Sequence, residues 1–257
     1  PAQLFEELPS LNEVVFDGNA PDLEALKKGR KLQSPSLFGE GVLEICQAAE
    51  LVFIALHGMN GEDGRVQAAF DLFGIPYTGS GYLGAAMAMD KTVTKHMIAG
   101  LGLKTPGWKE YHLVKEEDAG KIAAENAVPC VVKTPTGGSS LGMHIVKEQA
   151  DLEDAVRDVL RYGSDILVEE FIEGREFTCG VLEGRALPSV EIVPKTRFYD
   201  YQNKYQEGAT EEICPGRCSA EVEKKMGEDA LAVHQALRLK TYSRSDFIVT
   251  EEDEVYF

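Results

Sequence analysis

Apolar and polar positions along this chain follow two periods, and the switches between them mark its elements. Leu51–Leu56 (LVFIAL) is an unbroken apolar run of strand length, the pattern of a parallel strand buried on both faces. Before it, Glu13–Phe16 (EVVF) reads as a strand and Asp22–Lys28 as a short helix, with a connector rich in Gly, Pro and Ser over Gly29–Gly41. After it come the loop His57–Gly64 (HGMNGEDG), a helix from Arg65 to Phe73, and the turn Gly74–Gly81 (GIPYTGSG). Tyr82–Ala99 predicts one helix stopped by Gly100 and Gly102, and Lys109–Ala127 is polar and helical in parts. Val131–Gly142 (VVKTPTGGSSLG) is a β-branched strand entering a glycine-serine loop, and Met143–Val146 returns as a strand. Asp151–Tyr162 is an amphipathic helix. Ile166–Gly184 reads strand, break, strand, and Ala220–Leu239 is a second amphipathic helix. Tyr242–Phe257 gives strand, acidic turn and strand, whereas Arg197–Gly216 has no period over about twenty residues and predicts a lid or binding loop.

Several of these elements place reactive groups where a ligand is held. In the loop after Val131–Lys133, glycines let the backbone approach closely and successive N–H groups can cradle anionic oxygens, with serine hydroxyls as further donors. No Gly-Lys-Ser/Thr follows and the next element is a strand, so this is not a Walker A loop; a plain glycine-rich hairpin remains the alternative. His57 directly follows the apolar strand, where an imidazole projects into a cleft at the carboxyl end of an α/β sheet. Glu62 and Asp63 read first as caps of the helix after them. Lys91 and Lys95 are four apart on one helix face, and one of the two is expected to be solvated surface. Glu169, Glu170 and Glu176 flank a strand break, either as a charged edge or as acceptors for an adenine amino group and ribose hydroxyls. Arg244 and Asp246 share a strand face, as a salt bridge or as an anion clamp beside a magnesium ligand.

Composition narrows the partners. The chain has 257 residues, 44% of them hydrophobic and 27% charged, which is an ordinary globular balance. A formal net charge of -17 argues against a nucleic-acid binder but not against an anionic ligand. Screening over about 8 Å at physiological salt lets nearby lysines outweigh distant carboxylates. Five scattered cysteines suit free thiols in a reducing cytosol, and Cys214 with Cys218 lacks the further ligands of a zinc site. No apolar run approaches the roughly 20 residues that span a bilayer, and no signal peptide is visible.

Seven motifs stand in one order: HGxxGEDGxVQ (His57–Gln67), IPYTGSG (Ile75–Gly81), MDKxxxK (Met89–Lys95), VVKxPxGGSSLG, VEEFIEGREF (Val168–Phe177), FYDYxxKY (Phe198–Tyr205) and SRSDF (Ser243–Phe247). With them the chain closely resembles the D-alanine–D-alanine ligase family of the ATP-grasp superfamily, from about His57 to Phe257 and more loosely before. The resemblance implies an N-terminal parallel-sheet α/β domain (1–81) and a two-domain α+β ATP-grasp part, with a central domain (82–168) and a C-terminal domain (169–257) incomplete at its end. It implies a cytoplasmic enzyme of peptidoglycan synthesis that joins two D-alanines through an acyl phosphate, using ATP and Mg²⁺ or Mn²⁺. No nucleic acid or membrane partner is implied, and a homodimer is.

Carried over residue by residue, Lys91 and Lys133 would neutralise ATP phosphates under a loop containing Gly138, Ser139 and Ser140. Glu169, Glu170 and Ile172 would line the adenine hinge and Glu176 would take the ribose. Asp246 would bind the metal, and Arg244 would stabilise the acyl phosphate and tetrahedral oxyanion. His57 would lie beside the first D-alanine, with Ser139, Lys204 and Tyr205 closing over the substrates. The YDYxxKY form goes with D-alanine as second substrate, since D-lactate ligases place a histidine in this loop. The family's first strand, with its glycine-rich turn and substrate-binding glutamate, is expected before Pro1. Its Glu-x-Asn-x-x-Pro-Gly metal segment is expected after Phe257, so the chain reads as an incomplete record of a normal enzyme. The alternatives are a related ligase taking D-serine or another amine, and a non-catalytic nucleotide-binding remnant.

Overall fold

The computed structural model describes residues 36–137, 142–194 and 210–257, together with Ala25, Lys28 and Gly29. The predicted strand at Glu13–Phe16, most of the helix at Asp22–Lys28, the loop tip at Gly138–Ser140 and the segment with Lys204 and Tyr205 lie outside the described residues. The chain divides into two compact units, Pro1–Phe53 with Phe70–Tyr77, and Ile54–Ala69 with Thr78–Phe257.

In the first unit, helix α1 (Val42–Ala48) follows Gly41, whose φ of 76° favours glycine. Phe38 stacks on Phe70 at 6.1 Å between ring centroids, and Phe70 lies 5.8 Å from Tyr77. Here the expected strand Leu51–Leu56 is corrected. Among the described residues it reduces to one parallel bridge, Val52 to Tyr77, and Leu51 and Phe53 are exposed. An apolar run supplies side chains ready for burial, but a ladder needs a hydrogen-bonding neighbour on each side. Helix α2 (Arg65–Phe73) follows as expected.

The second unit holds two antiparallel sheets. The first has β1 (Trp108–Tyr111), β2 (Cys130–Lys133), β3 (Met143–Val146) and β4 (Ile166–Glu170) in the order β1-β4-β2-β3. The predicted hairpin forms, with Val131 opposite Ile145 and Lys133 opposite Met143. Period-two alternation sends Cys130, Val132, Ile166 and Val168 to one face, where α5 (Ala119–Glu125) and α6 (Leu152–Val159) cover them. Helix α6 buries Leu152, Ala155, Val156 and Val159 at the i, i+3, i+4, i+7 positions of a core stripe. Each fully buried aliphatic side chain in this layer contributes about 1.5–3 kcal/mol before entropy is counted.

The second sheet runs β10 (Val255–Tyr256), β9 (Tyr242–Val249), β5 (Arg175–Leu182), β7 (Val190–Pro194) and β8 (Thr210–Ile213), with β6 (Arg185–Ala186) pairing β5. Its core face, including Phe177, Cys179, Val181, Phe247 and Val249, packs on Val222, Met226 and Ala230 of α7 (Ala220–Ala236), which are spaced by four. Ser219 caps α7, its hydroxyl accepting from the Val222 N–H at 3.3 Å. Two further expectations change. The segment expected to be structureless as far as Gly216 ends in β8, because β7 offers it an edge to pair with. Tyr82–Ala99 is two helices, α3 (Tyr82–Met89) and α4 (Lys91–Gly100), broken at Asp90. Asp90 takes an extended backbone and its carboxylate caps α4 by accepting from Thr92 N at 2.9 Å and Val93 N at 3.2 Å. Helix α3 packs closely enough that a Cβ on Gly84 would lie 2.9 Å from the Arg238 carbonyl oxygen.

Candidate nucleotide and acyl-phosphate site

The face of the first sheet opposite its helices carries Val131 and Lys133 of β2, Leu167 and Glu169 of β4, and Trp108 of β1, by the same alternation. Glu169 is only 6% exposed, and a buried carboxylate needs partners. It has two lysines. Lys133 Nζ lies 2.5 Å from one oxygen and Lys95 Nζ 3.1 Å from the other. Lys95 reaches it from α4, and its ammonium also donates to Thr105 Oγ1 at 2.7 Å and to the Pro106 carbonyl at 3.0 Å. The same ammonium sits 5.0 Å over the ring of Trp108, the only tryptophan in the chain. Burial pushes the Lys95 pKa below the ordinary lysine range; the Glu169 charge opposes that shift and nearby Lys133 adds to it. Lys95 is thus not the solvated residue of its pair. It is the more buried of the two, and the sequence reading missed it. The signal was present in the i, i+4 spacing, but spacing does not say which side of a helix meets a sheet.

Lys91 begins α4 and pins the stem of the glycine-serine loop. Its backbone N–H donates to the Pro135 carbonyl at 3.0 Å, and its ammonium donates to the Gly137 carbonyl at 2.7 Å and the Pro135 carbonyl at 3.3 Å. Asp90 forms an antiparallel bridge with Thr136, so helix cap and loop stem are joined. Gly138, Ser139 and Ser140 lie beyond this stem, outside the described residues. At the far end of β4, Glu170 is exposed and its N–H donates to the Gly107 carbonyl at 2.8 Å, while Ile172 is half-buried in the connector to β5. A cleft of about 530 Å³ opens there, and Glu169, Glu170, Phe171 and Trp108 are among its lining residues.

A second polar group lies on the second sheet. Glu176 and Thr178 of β5 stand opposite Ile248 and Asp246 of β9, so all four share the face turned away from α7. Arg244 lies on that face too, and its guanidinium donates to Asp246 through Nε at 3.0 Å and NH2 at 3.3 Å. The side chains are 69% and 57% exposed, leaving donors and acceptors open to a ligand. Among the described residues no group of three or more His, Cys, Asp or Glu is placed to hold a metal ion. One carboxylate still fits magnesium, which is commonly held by one or two carboxylates together with substrate phosphates.

His57 is exposed just after the apolar run. Asp63 serves the start of α2, as expected, whereas Glu62 serves the loop before it. Glu62 Oε2 accepts from Gly58 N at 2.6 Å, and Asp63 accepts from Asn60 N at 2.9 Å and Arg65 N at 3.2 Å.

Comparison with known proteins shows which family has this sequence pattern and fold. Residues 98–257 match the family model described as D-ala D-ala ligase C-terminus, and residues 10–80 match D-ala D-ala ligase N-terminus. The D-alanine–D-alanine ligase of Lacticaseibacillus casei is 40% identical over 251 residues, covering 97% of this chain and 70% of its own length. The crystal structure of VanG D-Ala:D-Ser ligase from Enterococcus faecalis is similar at a TM-score of 0.71 and 34% identity, covering 81% of this chain. This chain spans 62% of the length of that structure. A Bacillus anthracis D-alanine–D-alanine ligase complexed with ATP is similar at a TM-score of 0.68 and 28% identity, over 84% of this chain and 69% of its own.

Proposed function

Because this chain belongs to the D-alanine–D-alanine ligase family, we propose that it uses ATP to join two D-alanines into D-alanyl-D-alanine for peptidoglycan precursors. The observation that carries the assignment of roles is the pairing of Lys133 with buried Glu169, close in sequence to the loop stem that Lys91 pins. Lys133 and Lys91 supply the positive charge that a triphosphate needs, and Gly138, Ser139 and Ser140 cover the phosphates. Glu169, Glu170 and Ile172 form the adenine hinge, a reading supported by the cleft beside the end of β4, and Glu176 accepts from the ribose.

The carboxylate of the first D-alanine, with His57 beside it, attacks the γ-phosphorus of ATP. Its carboxyl oxygen gains the phosphoryl group and ADP leaves. The amine of the second D-alanine then attacks the acyl carbonyl, phosphate leaves with the former carboxyl oxygen, and the amine proton is lost. Arg244 faces the negative charge that grows on the carbonyl oxygen, where fixed donors act most strongly. Asp246 holds magnesium, which would neutralise phosphate charge when bound. Ser139, Lys204 and Tyr205 close over the substrates and exclude water that would hydrolyse the acyl phosphate.

The domains in this reading are 1–81, 82–168 and 169–257, with strand β4 (Ile166–Glu170) running across the last boundary. The enzyme acts in the cytoplasm as a homodimer, and no described helix is long and apolar enough to cross a membrane. The test is ADP release on adding D-alanine and ATP, with the product weighed by mass spectrometry. A D-alanyl-D-alanine mass supports the reading. A D-alanyl-D-serine product from mixed amino acids would reassign the second substrate, and ATP binding with no D-alanine-dependent ADP would leave only a nucleotide binder.

A further inference from the structure

Glu169 raises a difficulty for the nucleotide grip. A carboxylate paired with Lys133 alone would cancel the charge that Lys133 offers to phosphate and draw the ammonium back into the sheet. Lys95 removes that difficulty. We propose that Lys95 positions Lys133 for the nucleotide, by engaging the second oxygen of Glu169 and restoring net positive charge to the cluster. This rests on the reading above, in which Lys133 meets the triphosphate.

The geometry carries it. Lys95 is 5% exposed, and three oxygens receive its ammonium: Glu169 Oε1 at 3.1 Å, Thr105 Oγ1 at 2.7 Å and the Pro106 carbonyl at 3.0 Å. An ammonium has three N–H donors, so Lys95 has none left for a ligand and does not itself grip phosphate. Lys95 lies on α4 and its other partners on the segment before β1, so Glu169 is held from outside strands β2 and β4. The side chains of Lys95 and Glu169 are each 7% exposed, whereas that of Lys133 is 19% exposed, so the accessible end of the cluster is Lys133. Two ammoniums against one carboxylate leave one net positive charge, and that charge is available where Lys133 is open.

The test is ATP affinity measured calorimetrically, cross-checked by the fluorescence of Trp108, whose ring Lys95 overlies. Lys95→Met is expected to weaken ATP roughly tenfold, the order of one lost charge-assisted contact, while KM for D-alanine stays within about twofold. In a Glu169→Gln background the same substitution is expected to change ATP affinity less than about twofold, because its route to Lys133 is gone. A purely structural lysine would weaken both backgrounds alike, and that result overturns the proposal. Should Lys95→Met fail to fold, Thr105→Val keeps the charge but loosens the anchor; an affinity loss of about two- to threefold supports the proposal and none overturns it. Failure of the underlying reading looks different: Lys133→Met would bind ATP as tightly as the unaltered protein. Loss with Lys133→Met but none with Lys95→Met rejects the positioning role alone.

Discussion

The two sheets of the larger unit each present polar side chains on a face not covered by their helices, and they do so in opposite ways. On the four-stranded sheet the charges are buried: Glu169 is sealed between Lys95 and Lys133. On the six-stranded sheet Arg244 and Asp246 pair in the open, at 69% and 57% side-chain exposure. A buried cluster is preorganised but depends on its shared carboxylate, since without Glu169 two ammoniums are left with no counter-charge. An exposed pair adds little to stability and can be given over to ligands. Under the proposed function, the first would hold a nucleotide in one place and the second would meet charge that develops only during reaction.

The comparison is tested most severely on the open face. Arg244→Ala is expected to lower D-alanine-dependent ADP release by about 10²-fold or more, as removal of an oxyanion donor does, while unfolding free energy changes by less than about 0.5 kcal/mol. Wild-type turnover in this variant would falsify its assigned role. The reverse signature belongs to the buried face. Glu169→Ala leaves two ammoniums in a dry site and is expected to cost about 3–5 kcal/mol in urea unfolding, against about 0.5 kcal/mol or less for Asp246→Ala. Equal losses would erase the distinction between the faces.

Smaller effects sharpen it. Asp90→Ala removes the cap of α4 and is expected to cost about 1 kcal/mol. Because the same residue bridges Thr136, ATP affinity should fall with it, whereas a cap with no link to the loop stem would leave affinity unchanged. The smallest effect concerns pH. On the core side of the six-stranded sheet, Glu191 is buried; the Arg217 side chain first, with its amide and Arg175, holds its carboxyl below the ordinary value of 4.5 against the effect of burial. A depressed carboxylate contributes stability above its unfolded value and loses it as pH falls through the lower folded one. Glu191→Gln should therefore flatten the acid limb of the stability curve below about pH 4.5 and leave the slope near neutrality unaltered. An unaltered acid limb would mean that other carboxylates govern it.

Much of this could be read from local pattern. The hairpin around Lys133, helices α6 and α7, the strand-break-strand with Glu169, Glu170 and Glu176, and the shared face of Arg244 and Asp246 all follow from periods of two and 3.6, which are properties of the backbone itself. The misreadings share a cause. Leu51–Leu56 has the composition of a sheet strand, yet among the described residues it shows one parallel bridge, because a ladder requires neighbours that composition does not name. Tyr82–Ala99 has helical composition throughout, yet Asp90 caps a second helix because the loop stem gives its backbone another partner at Thr136.

Lys95 shows the boundary between the two kinds of information. Its place one helical turn after Lys91 is written in the chain, and so is the family to which seven ordered motifs lead. That it lies in a dry site against Glu169, rather than in water, was settled when the fold brought the Lys95 ammonium to the carboxylate on β4. Burial and ion pairing depend on distances between segments far apart in sequence, and the local periodicity of a helix contains no such distances.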